Sequence, residues 1–104
     1  MIRRNQDSQY VGINHDLYGG MTDTGKIIRD AWAFELIPET ETCEGWLVAG
    51  IEGLWGQVNE EWEKYQFSVG ALPDDILQRY MRIQLDAVDQ AKSDGWDAEI
   101  IDDD

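Results

Sequence analysis

The chain has 104 residues, 42% of them hydrophobic and five of them tryptophan, and a formal net charge of −14. That length fits one domain with a modest core and argues against a two-domain enzyme, and the apolar content argues against a disordered acidic tail. Arg3, Arg4, Lys26 and Arg29 balance Asp7, Asp16, Asp23 and Asp30, so the whole net charge falls on residues 35–104, a field that repels nucleic acid and anionic membranes and favours cationic partners.

Residues 1–21 are polar and rich in turn formers, ending in Leu17-Tyr18-Gly19-Gly20-Met21, and read as an irregular arm over the core. Arg3 and Arg4 mimic the basic start of a signal peptide, but Asn5, Gln6, Asp7, Ser8 and Gln9 supply no apolar segment. A first helix is predicted to start at Thr22 to Thr24, whose oxygens offer an N-cap, and to run to about Leu36, ahead of Pro38. Ile27, Ile28, Ala31, Trp32 and Leu36 share its inner face. Lys26, Arg29 and Asp30 are then expected to point outward.

The middle segment admits two readings. Thr42 can cap a helix continuing to about Tyr65, with Leu47, Ile51, Leu54, Trp55, Val58, Trp62 and Tyr65 on one stripe. Against it stand Gly45, Gly50, Gly53 and Gly56, each costing roughly 1 kcal/mol relative to Ala in a helix interior. The alternative is a short buried strand at 46–51 followed by a turn, which would make the fold α+β, because a short apolar run does not distinguish the two. The helix is preferred. Gly50, Gly53 and Gly56, three residues apart, would then let another backbone pack closely, and a homodimer is the expected use of such a surface.

The last helix has the clearest signature. Pro73, Asp74 and Asp75 start it, with the carboxylates at the positive end of the helix dipole. Ile76, Leu77, Tyr80, Ile83, Ala87, Val88 and Ala91 follow helical spacing, and Gly95 stops it. Residues 97–104 form an acidic tail. The expected fold is therefore mainly α, a single three-helix domain over residues 1–104 with an irregular arm.

Gly20-Met21-Thr22-Asp23-Thr24-Gly25-Lys26 has the spacing of a phosphate-binding GxxxxGK loop, but Ile27 stands where a magnesium-binding Ser or Thr is required and no strand precedes it. A glycine turn feeding a capped helix is the expected outcome. His15, Asp16 and Cys43 would need the fold to unite them as a catalytic set, and Cys43 lacks a local signature. One His and one Cys cannot form a structural zinc set, and Asp102, Asp103 and Asp104 lack the glycine turn of a calcium loop, so no cofactor or metal is expected. A lone cysteine suits a reducing compartment, and the longest apolar run, Trp46 to Ile51, is too short to span a bilayer. The chain is expected to be cytoplasmic and away from membranes.

The stretch Gly19 to Glu39, with its Gly-Gly-Met, Ile-Ile-Arg-Asp-Ala-Trp and Leu-Ile-Pro-Glu segments, resembles parts of small bacterial proteins without assigned function. The resemblance implies a bacterial protein and transfers neither activity nor site residues.

These features point to a non-enzymatic acidic adaptor that meets a basic protein surface without binding nucleic acid directly. Trp55, Trp62 and Trp96 are its candidate aromatic anchors, and Glu60, Glu61, Glu63, Asp74 and Asp75 its candidate acidic contacts. A narrower alternative is nucleic-acid mimicry, which needs the second and third helices to pack as a hairpin so that those carboxylates cluster. The alternative from another class is an enzyme or small-ligand protein using residues 15–29, with His15, Lys26 and Arg29 around an anionic ligand.

Overall fold

The capping oxygen expected at residues 22–24 belongs to Thr22: its Oγ1 accepts the Gly25 N–H at 3.0 Å, and Asp23 occupies the first turn. The computed structural model describes residues 9–93 and Gly95. It is mainly helical, with α1 (Asp23–Ala33), α2 (Val48–Glu63) and α3 (Asp74–Ser93) and no strand among the described residues. None of these helices is long and apolar enough to cross a membrane. Trp96 and the acidic tail at 97–104 lie outside the described residues.

Helix α1 stops three residues earlier than its apolar pattern predicts. Glu35 takes a left-handed conformation (φ 61°), its N–H donates to the Trp32 carbonyl at 3.0 Å, and the Leu36 N–H donates to the Ala31 carbonyl at 2.9 Å. Those two bonds satisfy carbonyls that the helix end would otherwise orphan. The same closure ends α2, where Gln66 and Phe67 are both left-handed and the Phe67 N–H reaches the Trp62 carbonyl at 3.0 Å.

Helix α2 begins at Val48, not at Thr42. Cys43 and Gly45 both have positive φ (65° and 84°), which no right-handed helix accommodates, and the segment instead pairs with the arm. The Tyr10 N–H donates to the Trp46 carbonyl and the Gly45 N–H donates to the Tyr10 carbonyl, both at 2.8 Å. An isolated antiparallel bridge between Gln9 and Leu47 is all that appears of the alternative strand at 46–51.

The arm covers the core through two short 3-10 turns, Ile13–His15 and Leu17–Gly20. Asp16 organises it: Oδ2 accepts from the Tyr10 hydroxyl and from the Thr22 hydroxyl, each at 2.6 Å, while Oδ1 accepts the Leu17 N–H at 2.7 Å. Burial, and then that bond to Asp16, push the Tyr10 hydroxyl well above the ordinary tyrosine range. At Gly25 a side chain is excluded by packing, since a Cβ there would overlap the Gly20 carbonyl.

The core gathers Ile13, Ile28, Ala31, Cys43, Leu54, Val58, Trp62 and Leu72. Helix α1 lies between the other two and contacts both, and α3 also packs on the arm. Arg79 ties α3 to the end of α1 by donating its Nε–H to the Ala33 carbonyl at 2.9 Å. Arg82 adds a forked pair to Glu39, at 3.1 and 2.6 Å.

Candidate binding groove

Asp30 does not point outward. It is 2% exposed, as Arg29 is almost as deeply buried, because α1 is flanked on two sides by helices and on a third by the arm. One amphipathic stripe read from the sequence cannot describe a helix covered on several faces. Asp30 Oδ2 accepts the indole N–H of Trp62 at 3.1 Å, and Lys26, one turn earlier, holds its Nζ 4.0 Å from the same oxygen. Oδ1 has no partner. Burial pushes the carboxyl above the usual aspartate range, against the Trp62 hydrogen bond and the charges of Lys26 and Arg29.

Asp30 lines a groove of about 370 Å³ where the three helices and the α2–α3 connection converge. Helix α1 contributes Lys26 and Ile27, and α2 contributes Trp55, Val58, Asn59 and Trp62 from successive turns. Phe67 and Val69 come from the connection and Tyr80 from α3. Trp62 and Tyr80 meet edge to face with ring centroids 5.8 Å apart, making a rigid floor. The rim is open: Trp55 is 53% exposed and Phe67 61%. Phe67 is placed there by the left-handed pair that ends α2. Glu52 and Glu63, both exposed, continue the Trp55–Asn59 edge of α2 at helical spacing. The groove thus combines exposed aromatic surface, a buried acid with a vacant acceptor and an acidic margin.

The residues singled out in the sequence fall into different places. Trp55 is an exposed aromatic on the groove. Trp62 is not an exposed anchor: it is 9% exposed, in the core, with its indole nitrogen committed to Asp30. Glu60 and Glu63 are exposed on α2, Glu61 pairs with Lys64 at 3.0 Å, and Asp74 and Asp75 are exposed at the start of α3. Helices α2 and α3 each make their main helical contacts with α1, and they also meet each other where Trp62 packs on Tyr80. Arg29 is spent on the arm, where its Nη1–H donates to the Gly20 carbonyl at 2.7 Å. His15 is exposed in a separate hollow with Tyr10, Val11 and Glu44, so His15, Lys26 and Arg29 do not surround one ligand. Residues 20–26 form the glycine turn and capped helix start, with Gly25 closed against Gly20.

Gly53 and Gly56 face open space, with nothing within 4 Å of where a Cβ would stand, so neither meets another backbone among the described residues. Asp30, Phe67 and Tyr80 were missed as site residues, and Lys26 was named only for an anionic ligand. The available signal was an acid and a lysine at i and i+4 on a helix that also carries the core. No protein-family model, curated protein or solved structure matches the chain, and the chemistry of the groove is carried by its own residues.

Proposed function

We propose that this protein is a non-enzymatic acidic interaction protein that binds a basic segment of a protein partner at the groove between its three helices. The observation that carries this reading is the pairing of exposed Trp55 and Phe67 with a buried, half-satisfied carboxylate on a chain of net charge −14. Exposed aromatics beside a desolvated polar group are the usual composition of a binding hot spot, and the surrounding acid steers a cationic partner toward it. The test is capture of partners from source lysate on the tagged protein, with the wash repeated across salt concentrations. A basic partner that is released by salt and lost from Trp55→Ala supports the reading. A partner that binds Trp55→Ala equally well and ignores salt overturns it.

A further inference from the structure

We propose that the basic segment bound by this protein is an amphipathic helix that straddles Trp55, its apolar face in a trough along the α1–α2 seam and its basic face over the acidic edge of α2. The inference rests on the proposed function and names the form of the partner.

A second hollow extends the groove. On the other side of Trp55, toward the starts of both helices, lies a hollow of about 350 Å³ lined by Tyr10, Thr24, Trp46, Val48 and Ile51. Trp55 lines this hollow and the groove alike, so its half-exposed indole is a ridge between two concave, largely apolar surfaces. Along α2, Val48, Ile51, Trp55, Val58 and Trp62 follow one another at three- and four-residue spacing, and α1 supplies Thr24 and Ile27 to the facing wall. The trough therefore follows the seam for roughly 20 Å, at 1.5 Å of rise per residue.

The ridge and the two hollows select a helix. Ile51 and Val58, the α2 residues on the two sides of Trp55, stand seven positions apart. A helix running along α2 repeats its own apolar side chains at the same interval, about 10 Å, so one enters each hollow while the residues between them close over the indole. Among the described residues no strand borders the trough to pair with an extended partner. A helical partner needs none, because it satisfies its own backbone hydrogen bonds while it buries one face.

Charge selects the partner's outer face. Glu52, Asn59 and Glu63 are exposed along the α2 edge beside Trp55. The opposite wall carries Lys26, whose Nζ is 4.0 Å from Asp30. A partner whose basic residues lie over the α2 edge meets carboxylates there and avoids Lys26. A second copy of this chain is a poorer match, because it brings 22 acidic residues against 8 basic ones to an edge that is itself acidic.

The test is nuclear magnetic resonance titration of the intact chain, following the indole N–H signals of Trp46 in the second hollow, Trp62 in the groove and Trp55 between them. The probe is a peptide about 15 residues long, built of alanine, leucine and lysine with its leucines at helical spacing. It is compared with the same peptide carrying two central prolines, and with a counterpart in which glutamate replaces lysine. The lysine helix is expected to shift all three signals and to lose affinity at least about tenfold for Trp55→Ala, as a hot-spot aromatic does. Glu52→Lys and Glu63→Lys, at exposed positions outside the core, are expected to weaken it further as salt is lowered. Equal affinity for the proline peptide would overturn the helix and leave a basic segment as the ligand. Shifts confined to one hollow would overturn the straddling of Trp55. Equal affinity for the glutamate peptide, or no shift with any peptide, would overturn the basic partner as well. A free chain that is dimeric in light scattering and monomeric as Trp55→Ala would give the trough to a second copy. A Trp55 signal that moves in the free chain on Trp96→Ala would give it to the chain's own tail.

Discussion

The Trp62 indole N–H reaches the Asp30 carboxylate at 3.1 Å across 32 positions of sequence, and this bond joins α1 to α2 inside the core. Among the described residues it is the one hydrogen bond to this buried carboxylate, whose other oxygen has no partner. Trp62→Phe retains most of the ring and removes the donor. It is expected to lower stability by about 1–3 kcal/mol, the usual consequence of stranding a buried polar group. Urea unfolding of the two proteins, compared at equal slope, checks this.

Asp30→Asn is expected to raise the melting temperature near neutral pH. Because burial raises the folded pKa of Asp30 above its unfolded value, its contribution to stability is fully present below the unfolded value of 3.8 and is lost as pH rises through the folded value. The gain from Asn should therefore be near zero at pH 3 and grow toward pH 7. Glu39, whose pKa is lowered by Arg82, changes in the opposite sense but equally in both proteins. A constant difference between pH 3 and pH 7 would contradict the assignment.

Glycine substitutions separate packing from exposure. Gly53→Ala adds a methyl in open space and is expected to stabilise α2 by about 0.5–1 kcal/mol. Gly25→Ala drives a Cβ into the Gly20 carbonyl and should destabilise by about 1–3 kcal/mol. Thermal unfolding of the two variants side by side gives opposite signs if the helix faces are as described.

Arg79→Ala should destabilise more than Arg82→Ala, although Arg82 makes the shorter ion pair. Arg79 caps a carbonyl at the end of α1 from a largely buried position, while the Arg82–Glu39 fork is exposed to solvent and salt. Raising the salt concentration should erode the Arg82 effect and leave most of the Arg79 effect.

Cys43 should resist thiol reagents. It is fully buried, and burial, aided by the charge of Glu41, pushes its thiol up to about 11. At pH 8 only roughly one in a thousand molecules would carry the thiolate. Labelling is expected to follow unfolding, so its rate in mild urea should rise with the unfolded fraction.

Much of the helical frame was legible in the sequence because its signals are local. Thr22 as cap, Pro73-Asp74-Asp75 as a start and the apolar spacing of α3 each act within a turn or two. The end of α1 and the start of α2 were misjudged because left-handed Glu35 and Cys43 carry no glycine to announce them. The groove was illegible for a different reason. Asp30 and Arg29 look like solvated residues on a helix, and only the packing of α1 against two helices and the arm shows them buried. Trp55 and Trp62, seven residues apart on one predicted stripe, end on opposite sides of the solvent boundary because Phe34 and Tyr80 cover the second ring edge to face and leave the first open.

The central position of α1 also dictates an order of assembly. Helices α2 and α3 follow one another in the chain, yet each finds its main helical partner in α1. A fragment holding only α2 and α3 therefore lacks the surface on which either buries its apolar face. Closing α1 onto α2 spans the shorter loop, and closing α1 onto α3 must enclose all of α2, which costs more chain entropy. Folding should accordingly begin with α1 and α2 around Ile28 and Val58, and the docking of α3 completes the walls of the groove last.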